Sequence, residues 1–190
     1  MTTLIEFAQK ELDKRKLDYW DVRHEIANQI LVQAKNKDLD KVIQGQSSGI
    51  GIRVLCEGKF GFSSTNKMDK QSVLNAIATA EKIARLNKSK DKITLPELKS
   101  LKKKVNLTGK KKFNENNLEL IAGKALELSK LGLKQDFKIK SSEITIENSL
   151  LEKNFCSSYG RKIQQTMQES NLMASIIAKQ ENEIQPVSEG

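Results

Sequence analysis

Long apolar runs, histidine, cysteine and aromatic residues are all scarce in this chain of 190 residues. No stretch approaches the roughly 20 apolar residues that a membrane-crossing helix needs. The opening Met1–Lys16 is amphipathic and mixed in charge and lacks the apolar core of a signal peptide. The two cysteines, Cys56 and Cys156, stand a hundred positions apart and read as free thiols of an unexported, cytoplasmic protein. A single histidine, His24, with two distant cysteines cannot assemble a zinc site. It lies in an alternating run with Trp20, Val22 and Ile26, where a packed or hydrogen-bonded role is expected. Aromatic residues make up only 5%.

Catalytic signatures are equally sparse. There is no H-E-x-x-H, no G-x-S-x-G and no Walker loop. Gly49-Ile50-Gly51 runs on into Ile52-Arg53-Val54, a strand. A dinucleotide site would need a helix N-terminus directly after its glycines. No carboxylate pair stands out as an acid–base couple, so the chain reads as lacking a complete catalytic centre.

What the chain has is patterning and charge. The net charge is +9, and nearly all of it falls in residues 88–112, which hold ten lysines (Lys88 to Lys112) against Asp91 and Glu97. That segment reads as a solvated linker. Counterion release would let it hold a polyanion, but it lacks the aromatic side chains that stack on bases. A first helix is expected over residues 3–17, with Thr3 and Glu6 as a capping box. Alternation then sets in through Trp20, Val22, His24 and Ile26, and again through Ile50, Ile52, Val54 and Cys56. A short strand near Val42–Gln46 and a tight turn at Glu57-Gly58 complete an antiparallel meander with one buried face. A second helix is expected from Asp69 to Asn87, striped by Val73, Ala76, Ile77, Ala80 and Ala84. A third spans Asn117 to Leu131, with Gly132 at C′. Strand pieces follow at Lys138–Glu147, Glu152–Ser158, Lys162–Glu169 and Leu172–Lys179. The fold class is therefore α+β, antiparallel meanders with amphipathic helices. Helix-then-meander occurs twice, over 1–87 and 114–190 around a linker at 88–113. Val22–Gly51 and Ile139–Thr166 share the pattern that an internal duplication would leave.

The most distinctive stretch is Ser48-Gly49-Ile50-Gly51-Ile52-Arg53-Val54, followed by Gly58 to Asn66. Glycines at alternate strand positions clear one face for another backbone to approach, be it a helix or an extended peptide. Strand parity puts Arg53 with Gly49, Gly51 and Leu55, opposite the apolar face of Ile50, Ile52, Val54 and Cys56. Arg53 needs an acidic or carbonyl partner, inside the fold or beyond it. Gly49, Gly51, Arg53, Gly61, Ser63 and Ser64 are thus the candidate contacts for a peptide or another domain.

This block resembles the N-terminal domain of the TldD/PmbA family of metallopeptidases. The likeness rests on Asp18-Tyr19-Trp20-Asp21-Val22-Arg23, on Gly49 to Val54, on Gly61-Phe62-Ser63-Ser64-Thr65-Asn66, and on the alanine-rich Ser72–Leu86. Ile146–Ser149 and Ser158–Arg161 resemble the family's second meander more loosely. The resemblance implies a two-part subunit whose zinc ligands lie in a C-terminal half, an H-E-x-x-x-H with a further cysteine. None of them maps onto residues 1–190. It further implies proteolysis of peptides or unfolded proteins, pairing with a homologous subunit in a dimer, and a domain that builds the substrate passage without being catalytic alone. The competing readings are a non-catalytic binding module or pseudo-enzyme subunit, and a nucleic-acid-binding protein working through 88–112.

Overall fold

A computed structural model describes residues 3–109, 113, 118–181 and 183–190. Lys110, Lys111, Lys112 and Asn117, part of the expectations above, lie outside them. Among the described residues are three helices, α1 (Leu4–Asp13), α2 (Lys70–Leu86) and α3 (Leu118–Lys134). The strands are β1 (Tyr19–Lys35), β2 (Asp38–Cys56), β3 (Lys59–Thr65), β4 (Lys102–Leu107), β5 (Ile139–Ser157), β6 (Lys162–Gln180) and β7 (Glu183–Glu189). They pair in the order β3-β2-β1-β5-β6-β4, with β7 also on β6. The α+β class and the meanders are as expected.

Helix starts follow local chemistry. The Thr3 hydroxyl accepts from the Glu6 amide, and the Glu6 carboxylate accepts from the Thr3 amide, closing the capping box of α1. The Asp69 carboxylate caps α2 by accepting from the Ser72 amide. Turns are just as local. Glu57 and Gly58 both have positive φ, 53° and 76°, as a two-residue hairpin of matching twist requires.

Four expectations are corrected. The pieces expected at Val42–Gln46 and Gly49–Cys56 are one strand, β2. Those around Asn148–Leu151 and at Ser170–Asn171 likewise fuse into β5 and β6, because pairing with neighbouring strands outweighs a few polar residues. Gly132 lies inside α3, not at its C′ position. A Cβ there would run into the Ser142 hydroxyl, so this glycine lets the helix settle on β5. Finally, the lysine segment contains a strand, β4, which runs parallel to β6 from Lys102↔Lys162 to Leu107↔Met167. The Ile93 amide donates to the Gly58 carbonyl and the Lys162 amide to the Leu101 carbonyl, so the segment is tied down. Lysines on an edge strand also discourage pairing with other chains.

The order helix, two long strands, short strand occurs twice, as α1-β1-β2-β3 and α3-β5-β6-β7. Each short strand meets the last seven residues of the long strand before it, Ile50↔Thr65 to Cys56↔Lys59 and Ala174↔Glu189 to Gln180↔Glu183. Compactness divides the chain differently. One unit comprises Met1–Ala27, Ser47–Leu107 and Leu151–Met167; the other Asn28–Gln46, Thr108–Leu150 and Gln168–Gly190. Long strands that run on from one core to the next make this division cross the sequential repeats.

The first unit buries Ile50, Ile52, Val54 and Cys56 of β2 under α1 and α2, with Trp20, Val22, Val73, Ile77 and Ala80. Gly61 sits where a Cβ would overlap the Ala80 carbonyl, so α2 can lie almost on the backbone of β3. The second unit has a smaller core of Ile30, Val32, Ala34, Ala125 and Ile144.

A candidate peptide trough on the open sheet face

Strand parity splits the six candidate residues. Ile52 pairs with Ser63 and Val54 with Gly61, so Gly61 and Ser63 belong to the helix-covered side. Gly61 is packing for α2, which removes it from the candidate contacts. Gly51 pairs with Ser64 and Arg53 with Phe62, which places Gly49, Gly51, Arg53 and Ser64 on the opposite, open face.

Of these, Gly49, Gly51 and Ser64 line a trough of about 440 Å³, together with Arg23, Glu25, Phe62 and Asn66. The two glycines form its floor. A Cβ at Gly49 would only touch the Thr65 carbonyl at ordinary distance, while one at Gly51 would press on the Phe62 ring at 3.3 Å. Phe62 leans over the floor and is itself exposed.

Arg53 lies beside the trough and is engaged within the fold. Its Nε and Nη2 donate to Asp21 Oδ2 at 2.8 and 2.6 Å, and its guanidinium stacks on Phe60, 5.2 Å from the ring centroid. Burial works against the Arg53 charge, but the hydrogen bond and the charge of Asp21 outweigh it and hold the group more firmly protonated. Asp21 is 2% exposed. Burial, then the neighbouring Asp21 charge, raises the Tyr19 hydroxyl above its usual range. Arg23 approaches the other Asp21 oxygen at 3.6 Å and lies over Phe155 at 5.8 Å. Glu25 pairs with Lys153 at 3.4 Å. The sequence reading did not single out Asp21 or Arg23. Their signal was parity, since both share the Tyr19 side of β1 while Trp20 and Val22 take the core side.

The cysteines and the histidine do not assemble a reactive cluster among the described residues. Burial pushes the Cys156 thiol up to about 12 and raises Cys56 as well, so neither is a ready thiolate. His24 Nε2 is buried with no hydrogen-bond partner among the described residues. Among those residues no three His, Cys, Asp or Glu side chains converge as metal donors. The zinc that the family resemblance implies therefore finds no fitting donor set here. Among the described residues no helix is long and apolar enough to cross a membrane.

In the first unit, strands covered by α1 and α2 on one side carry a glycine-lined trough on the other, within an α+β fold. Comparison with known proteins shows what this region is similar to. Residues 20–84 match the model of PmbA/TldA metallopeptidase domain 1. That match and the relatives below support an N-terminal domain of the TldD/PmbA metallopeptidase type. It is 22% identical over 170 residues to a metalloprotease of Methanocaldococcus jannaschii, covering 88% of this chain and 37% of that one. TldE of Thermococcus kodakarensis shares the fold with a TM-score of 0.70 at 16% identity, over 98% of this chain and 41% of that one. A proposed modulator of DNA gyrase from Bacteroides thetaiotaomicron aligns with a TM-score of 0.72 at 16% identity, over 97% and 42% of the two chains. The chain thus spans about two fifths of the length of these relatives.

Proposed function

We propose that this chain is the substrate-passage and subunit-interface part of a TldD-like zinc metallopeptidase acting on peptides or unfolded proteins. It is not catalytic alone. Its partners in this reading are a C-terminal half bearing the zinc, a homologous subunit and the peptide. The observation that carries the reading is the trough over Gly49 and Gly51. Gly49 puts no side chain into it and the Phe62 ring leans over Gly51, so an extended chain can lie across the sheet face from β1 to β3. The uncovered apolar side chains of the second unit, among them Leu120, Leu172, Ile184 and Val187, support the interface role, since such side chains gain by burial against a neighbour. The alternative of nucleic-acid binding through residues 88–112 rests on the charge of that segment, of which Lys102, Lys103 and Lys104 lie on the edge strand β4 and serve edge protection as well.

The test joins this chain to the remaining part of the Methanocaldococcus metalloprotease and measures peptide cleavage. Gly49→Val puts a side chain into the trough, its Cβ at ordinary distance from the Thr65 carbonyl, so kcat/KM should fall about tenfold or more while the melting temperature holds. Cleavage unaffected by the valine would remove the trough from the substrate's path. The chain alone should show no chelator-sensitive cleavage.

A further inference from the structure

Resting on the reading that the trough receives an extended peptide, we infer that it selects a peptide carrying a carboxylate side chain, and that Arg23 is the residue that reads it. The charges around the trough make the case. Arg53 places two nitrogens on Asp21 within hydrogen-bond distance, so that pair is closed. Glu25 is matched by Lys153. Arg23 is left over. Its only ion-pair contact among the described residues is Nε to Asp21 at 3.6 Å, beyond hydrogen-bond length. With 55% of its side chain exposed, that contact is screened and weak. A guanidinium carries five donors, and the terminal nitrogens of Arg23 have no ion-pair or hydrogen-bond partner among the described residues.

The guanidinium fork of Arg23 also lies over the Phe155 ring, 5.8 Å from its centroid, a contact that favours some orientations of its plane over others. The fork lines the trough with Gly49, Gly51 and Ser64. Planar donors beside Gly49 suit a backbone lying across the sheet face with one acidic side chain turned towards β1. Charge complementarity thus favours glutamate or aspartate over a neutral or basic residue at that place. A volume of about 440 Å³ lies within the usual range of roughly 300–1,000 Å³ for small binding sites.

The experiment titrates the isotope-labelled chain with a blocked glycine–serine hexapeptide bearing one central glutamate, and with its glutamine counterpart, following amide shifts. Shifts should centre on Gly49, Gly51 and Ser64, and the glutamate peptide should bind about tenfold tighter, as one charge-assisted contact gives. The preference should shrink with added salt, vanish in Arg23→Gln and persist in part in Arg23→Lys. Arg23→Lys and the salt series keep the test open if Arg23→Gln folds poorly. Equal binding of both peptides at the trough would overturn the carboxylate selection and leave the peptide reading standing. A glutamate preference that survives Arg23→Gln would overturn the role of Arg23. Absence of shifts at Gly49 and Gly51 with either peptide would remove the peptide reading, and this inference with it.

Discussion

The two compact units are built from the same kinds of element yet finished to different degrees. In the first, fourteen buried residues form one core, and both α1 and α2 lie on it. In the second, five buried residues gather around α3, while Leu120, Leu131, Leu172, Ile184 and Val187 stay more than two-fifths exposed. The repeat sharpens the contrast. The hairpin of β2 and β3 is covered by α2, with Gly61 admitting the helix, whereas every residue of β7 is exposed. Equal topology thus gives unequal burial, because among the described residues no helix follows β7 as α2 follows β3. Stability should be concentrated in the first unit and docking capacity in the second.

The largest test of that difference is Ile52→Ala against Val187→Ala. Ile52 is fully buried in the first core, and its truncation should cost about 2–5 kcal/mol in denaturant melts. Val187, 65% exposed, should cost no more than about 0.5 kcal/mol. Comparable losses would erase the distinction between the units.

Next in size is Arg53→Ala, which leaves the buried Asp21 facing only Tyr19 and the distant Arg23 among the described residues. A loss of about 3 kcal/mol is expected, at the low end for breaking a buried pair, and Asp21→Asn in the same background should recover part of it. An unchanged melt would mean that Asp21 finds water in place of Arg53.

The smallest effect concerns acid. Burial alone would raise the Glu81 carboxyl, but hydrogen bonds from Arg85 and Arg15 outweigh it and hold the group below its ordinary value of 4.5. A depressed carboxyl contributes stability that is present above the ordinary value and is lost as pH falls towards the lower folded one. Melts between about pH 6 and pH 3 should show the first unit weakening, and Glu81→Gln should flatten that slope. An unchanged slope would mean that the Arg15–Glu81–Arg85 cluster tying α1 to α2 contributes nothing.

Much of the first unit was legible because its signals are local. The Thr3–Glu6 box, the Asp69 cap, the Glu57-Gly58 turn and the alternation through Ile50, Ile52 and Val54 each act within a few residues. The second unit was harder to read. Asn148 and Ser149 look like a turn until β5 is seen to be paired through them, and nothing in Pro186 announces β7. The trough's glycines could be read from parity, and so could the open-face placement of Arg53. The burial of Asp21 could not, since it depends on Arg53 and Tyr19, which converge on it only once the sheet has formed.

The pairing order carries a last consequence, for how the molecule comes into being. β1 lies next to β5, and the side-chain bond from Gln33 to Glu143 joins residues 110 positions apart. Each hairpin can close from neighbouring sequence, but the seam between the two repeats must wait for a distant partner. Folding limited by such distant contacts is slow. During synthesis β1 is an open edge until the second repeat emerges, and in that interval its Ile30, Val32 and Ala34 are exposed to whatever strand arrives first. Chaperone demand should therefore peak between completion of α2 and arrival of β5, and a ribosome-bound chain stopped within that window should be the most prone to aggregate.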